Sequence, residues 1–537
     1  MTKKLIFLTL VTILVACSPM ANREAENDGV PVAQAADNTS SATTTSPPFA
    51  MQATSLTMAE APMQGSSSSD DVAILAPAEP LQPEPEPETM IFEDYGVNPF
   101  IETAQDNLST FAMDVDTASY TLARNYLLQY NQLPPNESIR VEEFINYYPV
   151  SYPQPQDDHA FAIDMQASSS PFADENQILM RVGIQGRSIA PEDRDPALLI
   201  FVIDVSGSMA SENRLGLAKQ SLEILVEQLR EDDRVGIVIY ADEARIVLEP
   251  TPASEQQTII SAIQSLQTEG STYAEAGLAM AYNMAQANMR DGQTTRVVLV
   301  SDGVANVGAT GPDAILDTIA EGVESGITLS TVGVGMGNFN DVLMEQLAND
   351  GNGNYHYVDT LREARRIFVN NLTSTLQVIA YDARIQVEFN PDVVAEYRLI
   401  GYENRAIADE DFRDDTVDAG EVGAGHTITA LYELVLVENA PSETLATAYL
   451  RYEDAETRET VEINQVLATD EIATTFEAMP FDFQFISTIA EFSEILRGSD
   501  FGDSDYTELI AILEPFATND PTIAEIITML EAAIQFS

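Results

Sequence analysis

The middle of the chain alternates short apolar runs with amphipathic segments. Leu198–Val205 is an almost unbroken apolar run, as expected for a strand that is covered on both faces. Leu215–Leu229 follows as an amphipathic helix, and Arg296–Val300 and Ile327–Val334 repeat the strand pattern later in the chain. Strands that alternate with helices in this way predict an α/β domain with a doubly wound, mainly parallel sheet.

Oxygen-bearing side chains follow the ends of these predicted strands. The first run ends at Asp204 and Val205 and is followed by Ser206 and Ser208. Asp302 follows a later strand, and Thr272 lies between two predicted helices. The carboxyl ends of the strands in a doubly wound sheet form the crevice where ligands bind. Hard divalent cations take oxygen ligands, and Mg²⁺ takes six in near-octahedral geometry. The five side chains therefore predict a site for Mg²⁺ or Mn²⁺ at this edge of the sheet.

The order of these residues resembles a known motif. Asp-x-Ser-x-Ser, a later Thr and a later Asp at a strand end are similar to the metal-ion-dependent adhesion site (MIDAS) of von Willebrand factor type A (VWA) domains. This resemblance implies a Rossmann-like VWA fold in which Ser206, Ser208 and Thr272 ligate the metal directly, whereas Asp204 and Asp302 act mainly through water. It also implies a partner protein whose Asp or Glu carboxylate completes the coordination.

A second resemblance extends beyond the predicted VWA domain. Several short segments are similar to a group of bacterial VWA lipoproteins in which uncharacterised N- and C-terminal regions flank the VWA domain. These segments are Phe111–Tyr120, Leu133–Asn136, Val182–Arg187, Arg398–Arg405 and Asp418–Glu421. The resemblance implies an architecture, but it implies no activity.

The beginning of the chain has the pattern of a secretory leader. Lys3 and Lys4 precede the apolar segment Leu5–Val15, which is too short to span a bilayer comfortably. This segment leads into Cys17 in a pattern that resembles the bacterial lipobox, where the cysteine is acylated; the alternative is an ordinary signal peptide with an incidental cysteine. Ser18 follows, as in lipoproteins sorted to an outer membrane. We expect a lipid anchor on the extracytoplasmic side, in the outer membrane if the host has one.

The remaining pattern divides the chain into further regions. The strands predicted within Phe161–Gln185 are too few for an independent sheet, so we expect them to pair with strands after Ala383. The VWA domain would then be inserted in a β-sandwich, with helices from both termini packed beside it. The predicted regions are a signal peptide and lipidated cysteine at 1–17, a disordered Ser/Thr/Pro/Glu-rich tether at 18–95, an N-terminal flank at 96–195, the VWA domain at 196–376, a β-rich region at 377–470 and a helical region at 471–537.

The charge balance restricts the partners. The chain has 86 acidic and 25 basic residues, a formal net charge of -61, which repels nucleic acid and anionic lipid surfaces. Cys17 is the single cysteine, so no intramolecular disulfide can form. The sequence favours an envelope lipoprotein whose MIDAS binds a protein. The alternative is a structural envelope protein whose metal only stabilises the domain.

A hydrolase is a weaker interpretation, and we predict that the chain is not an enzyme. Ser206 follows a strand, but a Gly-x-Ser-x-Gly nucleophile turn needs glycines where Asp204 and Ser208 stand. A catalytic base would have to come from His159, His356 or His426, and none of these has a supporting signature.

Two other acidic segments allow alternative interpretations. Asp114 and Asp116 could form a metal pair, but Asp116 or Thr117 is better placed to cap the following helix. The acidic run from Asp409 to Glu421 could hold Ca²⁺, although a solvated loop is favoured.

Overall fold

The structure is a computed structural model that describes residues 90–157, 159–172, 177–270, 272–303, 319–336, 339–417 and 419–537. Cys17, the predicted leader and most of the predicted tether lie outside these residues, and so does Asp418. The predictions of a signal peptide, a lipidated cysteine and a disordered tether therefore stay predictions.

The described residues form strands and helices along their whole length. The strands are β1 (Ile101–Glu102), β2 (Leu108–Ala112), β3 (Phe161–Ser169), β4 (Gln177–Gly186), β5 (Ala197–Asp204), β6 (Arg234–Tyr240), β7 (Ala244–Pro252), β8 (Thr294–Ser301), β9 (Ile327–Val334), β10 (Tyr355–Val358), β11 (Val378–Phe389), β12 (Val394–Ile400), β13 (Val422–Gly423), β14 (Thr427–Leu436), β15 (Thr444–Asp454) and β16 (Thr460–Ala468). The α-helices are α1 (Ala118–Asn125), α2 (Val141–Asn146), α3 (Arg214–Gln228), α4 (Gln256–Gln264), α5 (Ala274–Asn288), α6 (Asp341–Asp350), α7 (Leu361–Arg365), α8 (Leu372–Leu376), α9 (Phe481–Leu496), α10 (Tyr506–Leu513) and α11 (Pro521–Phe536).

The alternating segments form a six-stranded sheet in the order β10-β9-β8-β5-β6-β7. Neighbouring strands are parallel except for β7, which returns antiparallel beside β6. Every residue of β5 is buried because helices cover both faces. Leu199 and Phe201 pack in one apolar cluster with α3 and α4, while Leu198 and Ile200 pack in another with α5 and α6. The predicted doubly wound α/β fold is confirmed.

The segments on either side of this domain build two further sheets together. One has the order β1-β12-β14-β4-β3, and the other has the order β13-β11-β15-β16 with β2 paired to β11. In the first sheet β14 pairs with β4, and Leu431 lies directly opposite Arg181. The inserted α/β domain separates these two strands along the chain. Residues from both sheets share one apolar cluster. The predicted β-sandwich with an inserted α/β domain is therefore confirmed.

Helices from both ends of the chain pack together beside the sandwich. Tyr120 of α1, Phe144 of α2, Phe483 of α9 and Met529 of α11 belong to one apolar cluster. Leu122 of α1 belongs to the cluster of the α/β domain, so α1 joins the two cores. Within the described part of the chain, no helix has the length and hydropathy needed to cross a membrane.

The segment before α1 corrects one prediction. Thr117 stands at the N-cap but makes no side-chain capping hydrogen bond, and Asp116 does not cap the helix either. Asp116 Oδ1 instead accepts a hydrogen bond from the backbone N–H of Tyr355 at 2.8 Å. Both Asp116 and Asp114 form ion pairs with Arg405 at 3.2 Å. These carboxylates tie the N-terminal flank to the α/β domain and to the C-terminal flank.

Candidate metal-binding site

The ends of β5 and β8 bring the two predicted aspartates to the same edge of the sheet. The strands are parallel neighbours, with Ile203 opposite Val300, so Asp204 ends one strand where Ser301 ends the other. Ser301 Oγ donates a hydrogen bond to Asp204 Oδ2 at 3.1 Å. Asp204 and Asp302 are both buried, so this edge holds two carboxylates that are shielded from solvent.

The turn after β5 arranges two hydroxyls beside these carboxylates. Asp204 Oδ1 accepts a hydrogen bond from the backbone N–H of Ser206 at 2.8 Å, which closes the turn. The hydroxyl oxygens of Ser206 and Ser208 lie 3.0 Å apart. In an octahedral Mg²⁺ site, bonds of 2.0–2.1 Å place adjacent ligand oxygens about 3.0 Å apart. The spacing of the two hydroxyls therefore fits neighbouring positions around one Mg²⁺ or Mn²⁺ ion.

Thr272 lies in the loop between α4 and α5, which packs against this turn. The backbone N–H of Gly207 donates a hydrogen bond to the carbonyl of Gly270 at 3.1 Å, and Thr272 itself is buried. Gly270 has φ +63°, and a Cβ there would lie 2.5 Å from Asp242 Oδ2. Glycine is therefore required for the loop to pass this close. The structure brings the segments that carry all five predicted residues to one edge of the sheet.

Burial changes the pKa of the central aspartate. Removal from water raises the pKa of Asp204 to about 6, and the nearby charge of Asp302 adds to the effect, whereas hydrogen bonds from Ser206 and Ser301 oppose it. A divalent cation at this position would supply the opposite charge that the ionised form of the carboxyl lacks. The donor set, made of hydroxyls with two adjacent carboxylates, suits a hard cation.

Arg214, the first residue of α3, is a site residue that the sequence reasoning missed. Its Nη1 donates a hydrogen bond to Asp302 Oδ2 at 3.0 Å, and its Nη2 donates to the carbonyl of Met336. Gly335 has φ +81°, and a Cβ there would lie 2.4 Å from the arginine side chain. A cation in the first turn of a helix is unfavourable for the helix dipole. An arginine at the start of a helix therefore indicates that an acidic partner compensates its charge, and this is the signal by which the sequence could have identified Arg214.

The contacts of Ser206 give the hydrolase interpretation no support. The Ser206 hydroxyl shares a hydrogen bond with the Ser208 hydroxyl at 3.0 Å and also contacts Asp204, and no hydrogen bond joins it to a histidine among the described residues. Burial lowers the pKa of His356 to about 3 and that of His426 to about 4. Both imidazoles are therefore poor proton acceptors at neutral pH.

Two carboxylates of the acidic run from Asp409 to Glu421 contact distant parts of the protein. Asp409 accepts a hydrogen bond from Thr110 at 2.6 Å, and Asp415 forms an ion pair with Arg451 at 2.7 Å. The part of the chain that the structure describes contains no group of three or more His, Cys, Asp or Glu side chains suited to hold a metal.

Three family models match the chain. The one described as von Willebrand factor matches residues 86–180, and the one described as von Willebrand factor type A domain matches residues 199–304. The third, described as the C-terminal region of the uncharacterized protein YfbK, matches residues 374–443 and 437–535. The VWA match includes all five residues of the predicted site.

Individual proteins match to different extents. The uncharacterized protein YfbK of Escherichia coli (strain K12) is 36% identical over 482 residues, which are 83% of this chain and 81% of YfbK. Human inter-alpha-trypsin inhibitor heavy chain H3 is 25% identical over 228 residues, which are 41% of this chain and 23% of that protein. A solved structure described as von Willebrand factor type A from Catenulispora acidiphila covers 70% of this chain and 86% of its own, with 13% identity and a TM-score of 0.38.

Proposed function

The chain belongs to the YfbK family of bacterial VWA-domain proteins, and we propose that it is a cell-envelope lipoprotein whose VWA domain binds a protein through a metal ion. The metal is Mg²⁺ or Mn²⁺. Ser206, Ser208 and Thr272 would hold it directly, and Asp204 and Asp302 would act through water. A membrane anchor at Cys17 would place the domain on the extracytoplasmic side, in the outer membrane if the host has one.

The observation that carries this proposal is the 3.0 Å spacing of the Ser206 and Ser208 hydroxyl oxygens. The three direct ligands are neutral, so a bound ion keeps positive charge toward the open side of the site. When bound, the metal supplies a Lewis-acidic position that a carboxylate can occupy. The chain's own residues orient the hydroxyls and exclude part of the water, which strengthens the contact with an incoming Asp or Glu side chain.

The experiment is affinity capture from envelope extract by the purified chain, in Mg²⁺ and in EDTA. We expect specific partners in Mg²⁺ that are lost in EDTA and lost with Ser206→Ala. The matched control is Ser261→Ala, because Ser261 is an exposed serine on α4 that bonds only within its own helix at 2.6 Å. Capture by Ser261→Ala should equal capture by the unsubstituted chain.

The structural alternative makes the opposite prediction in the same experiment. If the metal only stabilises the domain, the same partners are captured in EDTA and by Ser206→Ala, while the thermal unfolding midpoint falls when the metal is removed. That result would overturn the proposal.

A further inference from the structure

A cavity lies where the α/β domain meets the β-sandwich, at the end of the parallel sheet away from the candidate metal site. Its volume is ≈ 530 Å³, which lies within the range of roughly 300–1,000 Å³ that is usual for ligand pockets. Thr295, Arg296 and Thr328 line it from the α/β domain, and Gln377 and Tyr381 line it from the segment that follows. Arg296 and Ser301, at the metal-site edge, are about 17 Å apart along β8.

The wall of this cavity contains a buried cation without an acidic partner. Arg296 is 2% exposed, and its Nη1 donates a hydrogen bond to Ser330 Oγ at 2.6 Å. Its Nε has no hydrogen-bond partner in the described part of the protein, and no described carboxylate lies within ion-pair distance. Burial lowers the pKa of Arg296 to about 10, an effect that the more distant charge of Glu421 only partly offsets.

Buried polar groups beside Arg296 also lack partners. The hydroxyls of Thr295 and Thr328 and the amide oxygen of Gln293 have no hydrogen-bond partner among the described residues, and all three residues line the cavity. Burying an uncompensated charge and unpaired polar atoms costs free energy. Such a cost is typical of a binding site, where the ligand supplies the missing partners.

The outer part of the cavity has the opposite charge. Asp193, Asp195 and Glu456 line it and are exposed to solvent. The backbone N–H of Asp195 donates a hydrogen bond to Gln377 Oε1 at 2.8 Å, which fixes the position of Asp195. Arg187 also lines the cavity and is partly exposed, but it is paired with Asp454 at 3.9 Å. The three carboxylates at the exposed side therefore outnumber the cations there, and the guanidinium of Arg296 lies in the buried wall.

We propose that this cavity binds a small zwitterion of the amino-acid class, with its carboxylate on Arg296 and its ammonium group toward Asp193, Asp195 and Glu456. The planar guanidinium matches a carboxylate with two parallel hydrogen bonds. The buried hydroxyls offer further contacts to the same carboxylate. A phosphate ester would carry more negative charge past the acidic side of the cavity, which the structure disfavours.

The first test is titration calorimetry of the full chain with three probes at constant ionic strength. L-Alanine carries both charges, sodium acetate carries only the carboxylate, and ethylammonium chloride carries only the cation. We expect saturable heat with L-alanine, weaker binding of acetate, and no binding of ethylammonium. Absence of saturable heat with L-alanine would overturn the proposal.

The second test uses variants of the two sides of the cavity. Arg296→Met should weaken the binding of L-alanine and acetate about tenfold or more, because it removes charge-assisted hydrogen bonds. Thr328→Val should weaken both in the same direction while leaving the guanidinium in place. The pair Asp193→Asn and Glu456→Gln should weaken L-alanine but leave acetate unchanged. Unchanged L-alanine affinity in Arg296→Met, or in both Thr328→Val and the acidic-side pair, would contradict the assignment.

The stability of the ligand-free variant separates a binding role from a structural one. A buried arginine that has no carboxylate partner until a ligand binds destabilises the ligand-free protein. Arg296→Met should therefore unfold at the same temperature as the unsubstituted chain or at a higher one. Arg194→Met is the matched control, because Arg194 is a buried arginine that is already paired with Asp233 at 2.9 Å, and this variant should unfold at a lower temperature. A comparable loss of stability in Arg296→Met would show that its guanidinium serves the fold, and the proposal would fail.

Discussion

Arg214 donates a hydrogen bond to Asp302 across 3.0 Å, so the buried carboxylate at the end of β8 faces a guanidinium from the first turn of α3. Arg214 also contacts the loop after β9 through the carbonyl of Met336. One side chain thus joins the start of α3 to two loops at the edge of the candidate metal site, the loop after β8 and the loop after β9. It also provides positive charge beside two buried aspartates.

We expect Arg214→Met to destabilise the metal-free protein and to increase the stabilisation that Mg²⁺ provides. Breaking a buried ion pair costs about 3–5 kcal/mol, and Arg214→Met removes the charge compensation that this guanidinium gives the buried Asp302. A bound cation would restore part of that compensation, so the rise in unfolding temperature on adding Mg²⁺ should be larger than in the unsubstituted chain. Thermal unfolding in EDTA and in Mg²⁺ measures both effects.

Arg413→Met is the control for this variant, since Arg413 is exposed, lies on the sandwich and pairs with Glu462 at 2.8 Å. It should change neither the stability in EDTA nor the response to Mg²⁺ appreciably. A smaller response to Mg²⁺ in Arg214→Met than in the unsubstituted chain would instead mean that Arg214 mainly orients Asp302 for the metal.

The pKa of Glu142 predicts that the protein loses stability as the pH rises from about 4.5 to about 8. Burial raises the pKa of Glu142 to about 8 in the folded chain, and the nearby charges of Glu403 and Asp114 add to the effect. Because the folded pKa lies above the ordinary value of 4.5, the stability that Glu142 contributes is fully present below about pH 4.5. It is lost as the pH rises through about 8.

Glu142→Gln keeps the shape of this side chain but cannot ionise. In urea unfolding, the free energy of unfolding of Glu142→Gln minus that of the unsubstituted chain should therefore rise between pH 5 and pH 9. Glu137→Gln, at an exposed position of the same segment, is the control and should show no such trend. Parallel pH profiles for Glu142→Gln and the unsubstituted chain would contradict the prediction.

The sheet, and the placing of the candidate metal-site segments at one edge of it, could be predicted because both depend on local pattern. The apolar run that ends at Asp204 indicates a strand covered on both faces, and parallel strands must bring their carboxyl ends to one edge. The role of Asp116 could not be predicted in this way. Its partners Tyr355 and Arg405 lie 239 and 289 residues away along the chain, so only the assembled fold brings them together.

Arg140 provides a test of how strongly the inserted domain is held by its flanks. It lies just before α2 and is buried, where it pairs with Glu143 and with Asp341 of α6, the latter at 2.7 Å. Arg140→Met should lower the free energy of unfolding by about 3–5 kcal/mol, because it leaves these carboxylates uncompensated in a buried interface. Urea unfolding at pH 7 measures the loss.

Arg413→Met is the comparison for Arg140→Met, since Arg413 pairs with Glu462 at 2.8 Å on an exposed face of the sandwich. It should lower the free energy of unfolding by no more than about 1 kcal/mol. Equal losses in the two variants would mean that the pairs of Arg140 do not hold the inserted domain to the N-terminal flank.

Binding of a partner through the metal should depend on salt in a direction that the charge of the chain determines. The net charge of -61 repels an acidic partner at long range, while a bound cation attracts its carboxylate at short range. The Debye length is about 10 Å at 0.1 M salt, so added NaCl screens the repulsion across the surface more than the direct ion–oxygen contact.

Affinity in Mg²⁺ should therefore rise between low and moderate salt. Thr272→Ala should abolish binding at every salt concentration while leaving the domain folded. Surface plasmon resonance with a captured partner, with circular dichroism of the variant as the check on folding, makes the measurement. Affinity that falls steadily with salt would indicate a basic partner, and unchanged affinity in folded Thr272→Ala would place the binding surface away from the metal.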